Sequence, residues 1–277
     1  MQYLKINIQV PSEFNEILIA ELHDQGYDSF EEREKGIDAY IGESEYHENV
    51  LTELAQKYHE LFAFSFTIEK LENKNWNEEW EKNFQPVVID DQCIVRASFH
   101  QPDKEYLYDI VINPKMSFGT GHHETTSMMI ENQLGIDHAG KNIMDAGSGT
   151  GILAIMASKL GAAHITAFDV EDWAFENLRE NILLNRCHNI FTALGDIESV
   201  KLPLPVYDII LANINKNVLM TEISSYAEKL SSGGILMLSG FYTHDCDDLI
   251  NIAEKYSLRK SGDNEKNRWA SLIFKKK

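Results

Sequence analysis

The sequence predicts an α/β protein in which a small α+β unit precedes a doubly wound, mostly parallel sheet. Two patterns carry this prediction. From residue 141 onward, short β-rich apolar runs alternate with helical runs of about 10–15 residues, as in a parallel sheet covered on both faces. Ahead of them, residues 1–69 read as strand, helix, strand, strand, helix, strand, the order of a ferredoxin-like split unit.

The elements follow in order. Residues 3–9 alternate Leu4, Ile6 and Ile8 with polar neighbours, as a half-buried strand does. Pro11-Ser12 opens a helix, with Ser12 the expected N-cap and Phe14, Ile17, Leu18 and Leu22 at helical spacing; Gly26 ends it. Residues 27–33 and 37–41 form a predicted hairpin around Lys35-Gly36. A second helix over about 46–60 carries Val50, Leu51, Leu54 and Tyr58, and a fourth strand covers about 63–69. Residues 70–86 are expected to be a helical linker. Trp76, Trp80 and Phe84 recur every four residues there, as one aromatic stripe that docks on a core, and Pro86 stops the helix.

The remainder, 87–277, forms the large domain. Residues 87–99 and 106–112 read as a pair of apolar strands at its start. Seven further strands are expected at about 142–146, 164–169, 190–194, 207–213, 233–239, 257–262 and 269–275. Helices are expected at about 151–161, 172–186, 216–231 and 243–256.

Composition narrows the function classes. The 277 residues suit two domains, and 43% hydrophobic content can build both cores. No apolar run approaches the roughly 18 residues of a membrane helix. The N-terminus alternates apolar and polar residues and does not read as a signal peptide. Three widely spaced cysteines, Cys93, Cys187 and Cys246, form no CxxC pair and point to reduced thiols in the cytoplasm. The formal charge of −19 disfavours direct nucleic-acid binding and favours a basic protein partner, although acidity also serves solubility. Residues 1–75 hold about half of this excess in about a quarter of the length.

Four strand ends carry the candidate site. Asp145-Ala146-Gly147-Ser148-Gly149-Thr150-Gly151 joins a strand to a helix. Glycines let the main chain turn and approach a ligand, and the helix start offers free N–H groups. The spacing is GxGxG, not the GxGxxG of dinucleotide folds, and it resembles an S-adenosylmethionine site. A glycine loop alone is weak, because tight helix–strand packing also selects glycine. Asp169 ends the next strand, 22 residues after Gly147, where a carboxylate accepts ribose hydroxyls. Asp172 is better placed than Asp169 to cap the following helix. Gly195-Asp196 ends the third strand; Asp196 suits an adenine amino group and an ordinary turn equally. Asn213 ends Tyr207–Asn213 at the carboxyl edge, where open α/β sheets bind ligands.

Together these residues resemble the class I S-adenosylmethionine-dependent methyltransferases, a Rossmann-like fold with a mostly parallel seven-stranded sheet. The segment Phe118-Gly119-Thr120-Gly121-His122-His123-Glu124-Thr125-Thr126 is more specific. It resembles the family of bacterial methyltransferases that act on ribosomal large-subunit protein eleven, and the small front domain and Trp-rich link agree over essentially the whole chain. The resemblance implies transfer of methyl groups from S-adenosylmethionine to the N-terminal and lysine amines of that basic ribosomal protein, with the front domain gripping it. It implies cofactor contacts at Thr126, Gly147, Asp169 and Asn213; Phe118 of the family-like segment joins them as a candidate, and Gly149 and Asp196 are added from the residue reading. Two departures stand out: Asn215-Lys216 replaces an apolar-Ala pair after Asn213-Ile214, and Asp172 replaces a common proline.

The sulfonium methyl is already activated, so the protein mainly has to align an amine with it. Asn213 is the candidate for orienting that amine, and no general base is nominated. His122 and His123 lack the partners of a metal site and read as hydrogen-bonding loop residues; no metal is expected. Gly119 and Gly121 suggest a loop that closes over the cofactor. A methyltransferase acting on RNA-base or glutamine-amide nitrogen is the alternative, opposed by Asn213-Ile214-Asn215-Lys216 where such enzymes carry Asn-Pro-Pro-aromatic. A non-catalytic ribosome-assembly factor retaining the fold is the second. A monomer is expected.

Overall fold

The computed structural model describes residues 3–33, 35–59, 61–70, 85–113, 115 and 117–277. It divides into two compact units, Met1–Lys82 and Asn83–Lys277. The expected helix over 70–86, with Trp76, Trp80 and Phe84, lies almost wholly outside the described residues.

The first unit runs β1 (Tyr3–Gln9), α1 (Asn15–His23), β2 (Ser29–Arg33), β3 (Gly36–Gly42), α2 (Glu48–Tyr58) and β4 (Ser65–Lys70). Its sheet order is β2-β3-β1-β4, antiparallel throughout, which is the ferredoxin-like arrangement. Leu4, Ile6 and Ile8 of β1 share a buried cluster with Leu18 and Leu22 of α1 and Leu51 and Leu54 of α2. The period of two in the strand meets the period of 3.6 in the helices across one core. Ser12 does not cap α1. A 3-10 turn, Ser12–Phe14, intervenes, and neither its start nor that of α1 has a side-chain cap.

The second unit opens with a three-stranded sheet, β5 (Val87–Ile89), β6 (Cys93–Arg96) and β7 (Tyr108–Val111). The strand expected over 87–99 is therefore a hairpin. Asp90 and Asp91 take φ of 51° and 53° and reverse the chain, with Ile89 opposite Cys93. Aspartate is among the few residues that tolerate this region, so no glycine marks the turn.

The main sheet holds β8 (Asn142–Ala146), β9 (His164–Asp169), β10 (Ile190–Leu194), β11 (Tyr207–Asn213), β12 (Leu230–Tyr242), β13 (Leu258–Lys266) and β14 (Trp269–Lys276). Its order is β10-β9-β8-β11-β12-β14-β13. The first five are parallel, and β14 is antiparallel to both neighbours. The helices are α3 (Glu124–Leu134), α4 (Ile152–Lys159), α5 (Asp172–Leu184), α6 (Lys216–Lys229) and α7 (Cys246–Lys255). Neighbours along a strand enter opposite cores. Ile143, Ile209 and Leu211 join a cluster with α3, α4 and α5, whereas Met144, Ile210 and Ala212 join one with α6 and α7. Each large apolar side chain so buried contributes about 1.5–3 kcal/mol. Burial on both faces is why these strands read as continuous apolar runs. Strand order reverses between β8 and β11, and that reversal opens a crevice at their carboxyl ends.

Candidate active site

The crevice is a cavity of about 400 Å³ along the carboxyl edge of the main sheet. Its lining comes from strand tips in spatial order: Gly195 and Asp196 after β10, Asp169 and Val170 after β9, Gly147 and Gly149 after β8, Asn213 and Ile214 at β11, Gly240 in β12, and Trp269 opening β14. Phe118, His123, Trp173 and Glu222 add walls from loops and helices.

The glycine turn has a steric reason. Gly147 and Gly149 take φ of 64° and 53°. A Cβ on Gly147 would run into the Ile214 side chain, and one on Gly149 into the Phe118 carbonyl oxygen. The main chain of this turn is thus bare and wedged between two neighbours. The Thr150 N–H donates to the Phe118 carbonyl at 2.9 Å, which fixes the 118–119 segment to the glycine loop. Gly121 is also closely packed: a Cβ there would crowd Val95 at 3.1 Å.

Asp169 is 8% exposed and held by main-chain donors. Its Oδ2 accepts the Gly149 N–H at 2.8 Å and its Oδ1 the Glu171 N–H at 3.1 Å. Both oxygens keep a second lone pair for the cavity. Glu171 is the N-cap residue of α5, and Asp172 is its first helical residue rather than its cap. Asp196 lines the cavity and also closes a turn. Its Oδ1 accepts the Ser199 N–H at 2.8 Å, the Ser199 hydroxyl at 2.7 Å and the Glu198 N–H at 3.1 Å, and the Ser199 hydroxyl leads in holding its pKa low.

Asn213 is half-buried at the centre of the lining. Its Nδ2 donates to Thr126 Oγ1 at 3.4 Å, whereas its Oδ1 is buried and takes no donor among the described residues. An acceptor left unpaired costs about 1–3 kcal/mol, and this one belongs to a residue that lines the cavity. Thr126 is fully buried and does not line the cavity; it stands behind Asn213. Of the seven expected contacts, the structure brings Phe118, Gly147, Gly149, Asp169, Asp196 and Asn213 to one cavity and sets Thr126 one layer back.

His123 is the N-cap of α3, with Nδ1 accepting the Thr125 N–H. Among the described residues no cluster of three or more metal-ligating side chains occurs. Beneath the site, Asp145 Oδ2 accepts the Ala154 N–H at 3.0 Å. Its other oxygen has no donor among the described residues, and burial pushes its pKa up to about 8. Sequence reasoning missed Trp173, Glu222, Gly240 and Trp269. Burial raises the pKa of Glu222, which accepts the Tyr226 hydroxyl.

Comparison with known proteins adds the following. A family model described as ribosomal protein L11 methyltransferase (PrmA) matches residues 6–277. A protein of that name from Bacteroides fragilis is 44% identical over 262 residues, covering 94% of this chain and 93% of its own. One from Phocaeicola vulgatus is 41% identical over 279 residues, covering 99% of each. The crystal structure of ribosomal protein L11 methylase from Lactobacillus delbrueckii subsp. bulgaricus superposes with a TM-score of 0.64 at 24% identity, over 70% of this chain and all of that one. This last likeness speaks to the fold.

Proposed function

This chain belongs to the ribosomal protein L11 methyltransferase family, and we propose that it methylates amino groups of that ribosomal protein, at its N-terminus and at lysine side chains. It is an S-adenosylmethionine-dependent protein methyltransferase. The observation that carries the acceptor reading is the unpaired, buried Asn213 Oδ1 at the middle of the cavity.

The residues present fit the cofactor. Gly147 and Gly149 line the cavity with bare main chain, in a turn that the packing of Ile214 and Phe118 keeps free of side chains. Asp169 has lone pairs free for ribose hydroxyls, and the Asp196 turn lies one strand further out for the adenine. When bound, S-adenosylmethionine supplies an activated methyl group on a sulfonium. What remains for the chain is to hold and orient the amine. Asn213 Oδ1 accepts one N–H of the amine and so turns the lone pair away from itself. A lysine ammonium must first lose a proton, at a cost of about 4–5 kcal/mol at neutral pH. Desolvation inside the cavity lowers that cost, and proton loss to water needs no dedicated base.

The front unit, residues 1–69, serves in this reading to grip the basic substrate. Its acidity supports that role, and so does the overall charge of −19, which also argues against direct nucleic-acid binding. Among the described residues no helix is long and apolar enough to cross a membrane. A cytoplasmic monomer fits this and the three free cysteines.

The test is methyl transfer from radiolabelled S-adenosylmethionine to the purified ribosomal protein, with Asp169→Ala as control. Label in the ribosomal protein that disappears in the variant is the expected result. Label that goes instead to RNA, or a cofactor-binding protein that labels nothing, would sink the substrate assignment.

A further inference from the structure

The cavity has two chemically different ends. Glycines and carboxylates line the tips of β8, β9 and β10, with Phe168 and Trp173 among them; beyond Asn213 the lining is Trp269, His123 and Phe118, and Tyr242 at the tip of β12 backs Trp269. Because β14 is antiparallel, its first residue, Trp269, lies at the same edge as the last residues of the parallel strands. Trp269 stacks on Tyr242 at 4.1 Å and 27°, and meets His123 edge-on at 4.6 Å. His123 in turn meets Phe118 at 5.1 Å, and Tyr242 stacks on His244 at 5.5 Å. None of these rings belongs to a hydrophobic core cluster, and Tyr242 and Phe118 are 43% and 50% exposed. The wall is therefore not explained by burial.

We propose that this aromatic wall, centred on Trp269 with Tyr242 stacked behind it, is the acceptor subsite, and that it receives the substrate amine as a cation through ring faces. This rests on the amine-methyltransferase reading above. Two further observations point to a cationic guest. Among the described residues no lysine or arginine lines the cavity, so no positive side chain opposes a cation at the wall. Among the described residues no lysine or arginine of the chain sits over Trp269, Tyr242 or Phe118, although other rings have such partners. A bulky cation is attracted to ring faces more strongly as it is desolvated. An ammonium docked on the wall gives its proton to water, and the neutral amine is then oriented by Asn213, which lines the same cavity.

The test is calorimetric titration of the full chain, with and without S-adenosylhomocysteine. The probes are N-acetyl-trimethyl-lysine methylamide, whose charge is permanent, and its uncharged carbon-for-nitrogen isostere. The charged probe is expected to bind at least about fivefold more tightly. Trp269→Leu should remove that preference, Trp269→Phe should restore most of it, and S-adenosylhomocysteine affinity should stay unchanged in both. Tyr242→Leu provides a second variant at a more exposed position. Equal binding of the two probes overturns the proposal, as does a preference that survives both leucine variants. A loss of S-adenosylhomocysteine affinity in Trp269→Leu overturns it too, since the wall would then belong to the cofactor. Charge preference without any labelling of the ribosomal protein would leave the wall standing and reject the substrate; labelling without charge preference would do the reverse.

Discussion

The two ends of the cavity were built by different means. At the proposed cofactor end, four lining residues lie within three residues of the end of a parallel strand: Gly147 and Gly149 after β8, Asp169 on β9, Asp196 after β10. Each sits at a strand tip that an apolar run followed by glycine or a carboxylate announces in the sequence, although distant neighbours complete the fit: Ile214 against Gly147, Phe118 against Gly149, and the Gly149 N–H on Asp169. At the acceptor end, Phe118, His123, Tyr242 and Trp269 come from three distant parts of the sequence. They meet only because β14 inserts between β12 and β13. An invariant ligand can be held by local motifs, whereas an end that faces a protein substrate depends on topology.

The largest way to break this contrast is Gly149→Ala. The left-handed φ of 53° costs a non-glycine residue about 1–2 kcal/mol, and the clash with the Phe118 carbonyl adds about 1–3 kcal/mol of overpacking. The same residue donates its N–H to Asp169 Oδ2. S-adenosylhomocysteine affinity should fall about 100-fold by calorimetry, while binding of the charged acceptor probe persists. Cofactor affinity within twofold of the parent would mean that the turn is not the cofactor seat.

The same contrast explains what the sequence could disclose. The seven main strands were legible because apolar runs and turn glycines are local signals. β12 proved longer, Leu230–Tyr242 against an expected 233–239, since no loop separates it from α6. Asp169 and Asn213 were legible as polar residues ending apolar runs. Thr126 was placed in contact by resemblance, yet its full burial puts it behind Asn213. The β5–β6 turn escaped because Asp90 and Asp91 carry positive φ without a glycine. Trp269 escaped for a deeper reason: no local pattern states which strand β14 will pair with.

A second experiment sharpens the cofactor end. Asp145 sits buried under it with a pKa pushed to about 8 from an ordinary 3.8, burial being the main cause and Asp169 adding to it. Between those values the native chain holds a proton that the unfolded chain has lost. Stability from this group therefore falls as pH rises from about 4 to about 8. Urea denaturation of the cofactor-free protein should show that slope in the parent and a flatter one in Asp145→Asn. Parallel profiles would remove the buried acid from the account.

The smallest expected effect isolates the acceptor end. Lys216, one of the two departures from the family pattern, reaches Asp245 at 2.8 Å and Asp248 at 2.7 Å. Asp245 Oδ2 also accepts the Tyr242 N–H at 3.1 Å. The lysine thus ties the first turn of α6 to the strand end that carries one ring of the wall, and Asn215 beside it caps that helix through the Val218 N–H. A partly exposed pair of this kind is a weak, salt-screened tether, so it can bias the position of Tyr242 without holding the fold. Lys216→Met should raise KM for the ribosomal protein about two- to threefold and leave cofactor affinity untouched. Lys216→Arg should recover the parent value, and high salt should bring the parent close to Lys216→Met. If instead the cofactor constant moved and KM did not, Lys216 would act across Asn213 on the other end, and the division of the cavity into two independently built ends would be wrong.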